Sequence, residues 1–255
     1  MSTTLKKALT VIELLAQRAE PSSISELARH LKVSKSNVHF LLSTLCANGY
    51  VEQDVGTKKY FLTIKLWELG TRVLGRLDLR RVASPYLASL AEATTETVNL
   101  AILDHDEVVY VHKIDSPRPV RAYTPEGRRA PAYCTSTGKA LLAYESEEVI
   151  KRVAARIERH TDRTVSSAEN LASELQKVRQ VGYSVNRGEW RDSVRGVAVP
   201  IMDGSGRTVA AVGVFGPAER LPSKRLDQLA TLVMKTGAAI STALGYRKGA
   251  ARVSV

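Results

Sequence analysis

The chain has 255 residues, 44% hydrophobic and 25% charged, with a formal net charge of +11, which supports two folded domains and excludes a disordered protein. Two cysteines, Cys46 and Cys134, exclude a disulfide framework and a cysteine zinc site. No run approaches the roughly 18 apolar residues of a membrane span, and Met1 to Lys7 lacks a signal-peptide apolar stretch, so a cytoplasmic protein with reduced thiols and no membrane partner is expected.

In chain order, Leu5 to Arg18 is helical in pattern, and Glu20-Pro21-Ser22-Ser23 separates it from the next helix. There Ile24, Leu27, Ala28 and Leu31 recur at i, i+3, i+4 and i+7, with Ser23 and Glu26 forming an S-x-x-E capping box. After Lys32-Val33-Ser34 the spacing repeats in Val38, Leu41, Leu42 and Leu45 and stops at Asn48-Gly49. Two helices joined so tightly share a core only by crossing steeply, which is the helix-turn-helix arrangement. Tyr50-Val51-Glu52, a turn around Asp54 to Thr57, and Lys58 to Leu62 predict a β-hairpin wing.

At about 100° per residue, Ser36, Phe40 and Ser43 point away from the core, with Asn37, His39 and Thr44 on the flanks. With Ser34, Lys35 and the wing lysines Lys58 and Lys59, these are the residues expected at double-stranded operator DNA. The charge is less local. Residues 1 to 65 hold nine Lys/Arg against five Asp/Glu, and residues 66 to 255 hold 28 against 21, so charge suits a polyanion without locating its site.

Leu66, Leu69, Val73 and Leu77 mark an amphipathic linker helix of a kind that pairs between subunits. A second domain is expected from Asp78. A helix to Thr94 precedes a strand hairpin, Val98 to Leu103 and Val108 to Ile114, turning at Asp104-His105-Asp106, with a third strand at Val120 to Tyr123. Helices are predicted at Thr137 to Ala143, Glu147 to Arg159 and Ala168 to Val181, the last capped by Ser166 with Glu169. Strands Gly196 to Met202 and Thr208 to Phe215 flank a turn at Asp203 to Gly206, and a closing helix runs from Ser223 to about Leu244. The class is α+β. The domain expectation is 1–65 for the winged helix-turn-helix, 66–77 for the linker helix and 78–255 for the second domain.

The block Gly127 to Ala143, with Tyr133-Cys134-Thr135-Ser136-Thr137-Gly138-Lys139 at its centre, resembles the signature of the IclR family of bacterial transcription regulators. So do Gly182-Tyr183-Ser184 with Gly188-Glu189, and Ala210 to Pro217. The resemblance covers essentially the whole chain in family order. It implies a winged helix-turn-helix, a linker helix, a GAF-like effector-binding domain, and homodimers or homotetramers on DNA.

Read from its residues, Cys134 to Lys139 is a turn feeding a helix start, whose free N–H groups suit a carboxylate. An ordinary capped helix has the same pattern. The resemblance places an effector carboxylate against the backbone of Ser136 and Thr137, with Asn99, Tyr133, Cys134, Thr135 and Trp190 nearby. Members that bind small keto acids carry an acid, a cysteine and two serines at four pocket positions; here those positions hold Asn186, Gly196, Gly213 and Phe215. Two glycines would open space and Phe215 would add a π-face, which favours an aromatic carboxylate, unless Phe215 simply packs in the core. In the recognition helix the family's common Thr and Arg are Asn37 and Phe40.

Other chemistries have thin support. Cys134 beside a helix start, with His112 in the same domain, leaves a thiol enzyme of GAF-like fold with a fused DNA-binding tether as the alternative. His30, His39, His105, His112 and His160 form no metal-ligand spacing, and no cofactor or metal is expected. Trp67 and Trp190 read as packing residues, with Trp190 close enough in sequence to Asn186 to border the pocket.

Overall fold

The computed structural model describes residues 3–18, 20–75 and 79–247, and the chain divides into two compact units, Met1–Leu77 and Asp78–Val255.

In the first unit, helices α1 (Thr3–Ala16), α2 (Ile24–Leu31) and α3 (Lys35–Ala47) enclose Val11, Leu15, Leu27, Val38, Leu41, Leu42 and Leu45. The capping box forms as the spacing predicts. Ser23 Oγ accepts from Glu26 N, and the Glu26 carboxylate accepts from Ser23 N at 2.7 Å. Lys32 closes α2 in the left-handed conformation and Ser34 caps α3 by accepting from Asn37 N. The wing pairs β1 (Val51–Gln53) with β2 (Tyr60–Leu62), shorter than expected, so Lys58 and Lys59 lie in the turn rather than in a strand. Asp54 explains the early stop: its carboxylate accepts from Thr57 N and Thr57 Oγ1, both at 2.6 Å, and locks the turn. Helix α4 (Lys65–Gly75) follows the wing; Leu77 and the side chain of Val73 lie outside the described residues. Trp67 on this helix is 65% exposed.

In the second unit, six antiparallel strands lie in the order β5-β4-β3-β8-β7-β6, namely β3 (Thr97–Asp104), β4 (Glu107–Ile114), β5 (Arg129–Pro131), β6 (Ser184–Asn186), β7 (Val194–Met202) and β8 (Thr208–Pro217). Helices α5 (Leu79–Thr94) and α9 (Ser223–Ala243) cover one face; α6 (Ser136–Leu142), α7 (Glu147–Ala154) and α8 (Ala168–Val181) belong to the other. Gly138 lets α6 follow its preceding turn closely: a Cβ there would stand 2.1 Å from the Ala132 carbonyl oxygen.

Three expectations fail for local reasons. Val120 to Tyr123 is irregular, because Pro117 and Pro119 interrupt pairing and Arg129–Pro131 takes the place beside β4 instead. Helix α7 ends at Ala154, short of Arg159, since Tyr133 Oη accepts from Glu158 N and Thr164 Oγ1 from His160 N, drawing those amides out of a helical ladder. Ser167, one residue beyond Ser166, caps α8 by accepting from Asn170 N.

Candidate functional site

On α3 the apolar set Val38, Leu41, Leu42 and Leu45 faces inward, which leaves Lys35, Ser36, Asn37, His39, Phe40, Ser43 and Thr44 exposed along one surface, with Ser34 exposed at the cap. Phe40 is 63% exposed. Lys58 is exposed and Lys59 half-buried; Lys58 adopts φ 57°, held by its N–H donating to Asp54 O at 2.9 Å. Every expected DNA residue of the helix thus lies on its outer side, and both lysines stand on the closing arm of the wing turn.

The register of the large sheet gathers the effector positions. Asn186 pairs with Gly196, Gly196 with Phe215 and Phe215 with Thr97, while Ser184, Ala198, Gly213 and Asn99 make the next row of the same face. Directly opposed residues point to one side of a sheet, so all four family pocket positions and Asn99 share the face of α6. Ser184 Oγ donates to the Ser136 carbonyl and ties β6 to that helix.

A cavity of about 40 Å³ opens here, lined by Tyr110, Ala122, Tyr123, Thr124, Thr135, Asn186, Trp190, Arg191, Val194 and Phe215. That is room for a few waters at most and far smaller than a drug-sized ligand pocket. Phe215 is the reason. A Cβ on Gly196 would come within 2.7 Å of the Phe215 ring and one on Gly213 within 3.0 Å, so the benzyl group occupies the space the two glycines leave. The expectation that the glycines open room is corrected accordingly. The ring also meets Tyr110 edge to face, centroids 6.3 Å apart.

Thr135, Asn186, Trp190 and Phe215 line the cavity among the expected residues; the others divide. Asn99, Ser136 and Thr137 are fully buried, and among the described residues neither amide atom of Asn99 nor the Ser136 hydroxyl has a hydrogen-bond partner. Unpaired buried polar groups cost about 1–3 kcal/mol each, which marks the place as one made for polar company. Burial pushes the Tyr110 hydroxyl up to about 12, with the Thr137 hydroxyl, Arg128 and Arg191 pulling the other way. Tyr133 points elsewhere: its hydroxyl donates to Glu158 O at 3.1 Å and its ring stacks on His160. Asn186 is committed as an acceptor, its Oδ1 taking Gly188 N and Glu189 N at 2.9 and 2.8 Å.

Cys134 is buried among apolar side chains, and burial together with Glu189 pushes its thiol up to about 12 despite Lys139. A thiol protonated at neutral pH is no nucleophile. His112 sits on the opposite face of the sheet, paired across from Leu100 and held by Ser84 on α5 and by Glu126. The residues of the thiol-enzyme alternative are not brought together.

Tyr110, Tyr123, Thr124, Arg191 and Val194 were not legible as pocket residues. Tyr123 ends the segment expected to be a strand and Thr124 follows it; the segment instead crosses the cavity, anchored by Thr97 Oγ1 donating to Ala122 O and by Arg220 donating to Val120 O at 2.8 Å. Arg191 follows Trp190 directly, and that adjacency was the one available signal.

Residues 71–242 match the family described as bacterial transcriptional regulator IclR C-terminal, and residues 4–55 match the IclR helix-turn-helix domain. The chain belongs to the IclR family. Its members are DNA-binding transcriptional regulators with an effector domain, not enzymes. Among curated IclR relatives, the regulator KdgR of Escherichia coli is 37% identical over 94% of this chain and 92% of its own length. The regulator XynR of the same organism is 34% identical over 95% and 97%. Among solved structures, the Thermotoga maritima IclR superposes with TM-score 0.81 at 30% identity, covering 95% of this chain and 99% of that one. An IclR homolog of Microbacterium hydrocarbonoxydans, complexed with 4-hydroxybenzoate, superposes with TM-score 0.84 at 25% identity, covering 95% and 99%. Among the described residues no helix is long and apolar enough to cross a membrane.

Proposed function

We propose that this IclR regulator reads operator DNA through α3 and the wing and changes its DNA affinity when the second unit binds an aromatic carboxylate. The observation that carries the ligand class is the lining of the cavity. The chain has only two tryptophans, nine tyrosines and three phenylalanines, yet Tyr110, Tyr123, Trp190 and Phe215 converge on it. Aromatic walls favour a flat apolar body, and the complex of the Microbacterium homolog with 4-hydroxybenzoate supports the same class.

The acid's carboxylate is placed toward Ser136 and Thr137, where the first amides of α6 lack intrahelical acceptors and Asn99 adds an unpaired amide. Seating a ring there requires the Phe215 side chain or the segment carrying Tyr123 and Thr124 to yield. On DNA, Ser36, Asn37, His39 and Phe40 are assigned to base edges, and Ser34, Lys35, Ser43, Lys58 and Lys59 to the backbone around them. Exposed Ile64, just before α4, with Trp67 and Leu69 on it, supports assembly as a homodimer or homotetramer, and a DNA target fits a cytoplasmic protein.

Thermal melting of the full chain with a series of carboxylates tests the ligand class, because a ligand that binds only the folded state raises its stability by mass action. Benzoate-type acids should raise the midpoint more than pyruvate or glyoxylate at equal concentration. The reverse order would remove the aromatic reading while leaving the DNA-binding regulator in place.

A further inference from the structure

Arg191 is the one charged residue among those lining the cavity, and its guanidinium carbon lies 4.8 Å from the centre of the Trp190 ring. Arg128 approaches the same ring at 5.8 Å. Stacking on an aromatic face engages the plane of a guanidinium and leaves its N–H donors free at the edge. The neighbouring acids are committed elsewhere. Glu126 pairs with Arg80 and His112, Asp192 with Arg163, and Glu189 with Lys139 at 2.7 Å. Among the described residues, neither Arg128 nor Arg191 has a carboxylate within 4 Å. Both exert their charge on the Tyr110 hydroxyl, which lines the cavity.

Two like charges drawn to one ring without a counter-ion repel each other, and an anion between their donor edges would offset that cost. We propose that Arg128 and Arg191 form an anion subsite at the mouth of the cavity, so that the effector is an aromatic acid carrying a second anionic group directed outward past Trp190. This rests on the effector reading above. One carboxylate lies inside, toward Ser136 and Thr137, and the ring spans the aromatic walls. The second anion reaches the two guanidinium groups, whose planar forks donate to a carboxylate bidentately.

The test compares 4-hydroxybenzoate with terephthalate, which carries a second carboxylate in place of the hydroxyl. Binding to the full chain is measured by calorimetry for the unmodified protein, for R128Q/R191Q, and for K224Q/R225Q, which removes the same charge from the start of α9. Terephthalate should bind the unmodified protein about tenfold more tightly or better, as two charge-assisted contacts imply. That advantage should vanish in R128Q/R191Q and persist in K224Q/R225Q, with 4-hydroxybenzoate binding equally to all three. Equal affinity for the two acids in the unmodified protein, or an advantage that survives R128Q/R191Q, overturns the subsite and leaves the aromatic effector standing. Loss of 4-hydroxybenzoate binding in R128Q/R191Q would put the single carboxylate at the mouth and overturn the two-anion reading. Failure of both acids to bind the unmodified protein removes the aromatic reading and this inference together.

Discussion

A phenylalanine that stands 63% exposed on the outer side of α3 leaves apolar surface in water that burial would favour by about 25 cal/mol per Å². Contact with a thymine methyl in the major groove would use that surface. Phe40→Ala should therefore cost about 1–3 kcal/mol on the operator and much less on random DNA in a titration of labelled duplexes. Equal losses on both would make Phe40 a folding residue. At the other end of the burial scale, Phe215 fills the space above Gly196 and Gly213. Phe215→Ser should lower the melting temperature, weaken an aromatic acid by about 1–3 kcal/mol and let pyruvate bind measurably. Tighter binding of the aromatic acid by the serine variant would mean that the ring is a plug rather than a wall. The pocket positions were legible from the sequence, but the direction of one side chain was not: nothing in the order Gly196, Gly213, Phe215 tells that the third fills the space left by the other two.

Among the elements, α2, α3, α8 and the late strands were legible because their signals are local: an i, i+3, i+4 stripe, a capping side chain, a turn rich in Gly and Asp. Strands β5 and β6 have three residues each and take their pairing from distant partners, Ala130 with Val108 and Asn186 with Gly196, which no local pattern announces. The α2 capping box also carries a pH signature. The Ser23 N–H, then the Ser23 hydroxyl, with Lys59 and Arg18, hold the Glu26 carboxyl below its ordinary value. A carboxyl depressed in the folded state stabilises above its unfolded pKa and loses that contribution as pH falls through the folded value. Glu26→Gln should accordingly flatten the pH dependence of melting below pH about 4.5 without changing its form near neutrality; an unchanged acid limb would detach the box from stability. On the wing, Lys58→Ala with Lys59→Ala should weaken all DNA sequences alike and reduce the slope of log affinity against log salt by about two, since each lysine is assigned one phosphate. A normal salt slope in the double variant would take the wing off the DNA.

For the whole molecule, the family assignment accounts for two units of different construction: a small helix-turn-helix unit whose α3 has an exposed outer side, and a six-stranded sheet with buried polar groups on the α6 side. Fold class and the helix-turn-helix face were legible in the sequence. The occupant of the cavity was not, because its walls are drawn from β4, the irregular segment after it, the loop beyond β6 and the end of β8, which meet only in the folded chain. Allosteric control requires a coupling free energy between the two sites, typically 1–3 kcal/mol, or a change of about 5- to 150-fold in DNA affinity. The direct measurement is fluorescence anisotropy of the full chain on its labelled upstream DNA at fixed salt, titrated with 4-hydroxybenzoate and with terephthalate. A saturable shift in DNA affinity of that size is expected, with the acid recovered chemically unchanged. An acid that binds the protein with no effect on DNA affinity, or one that is consumed, would contradict control of DNA binding by an aromatic effector.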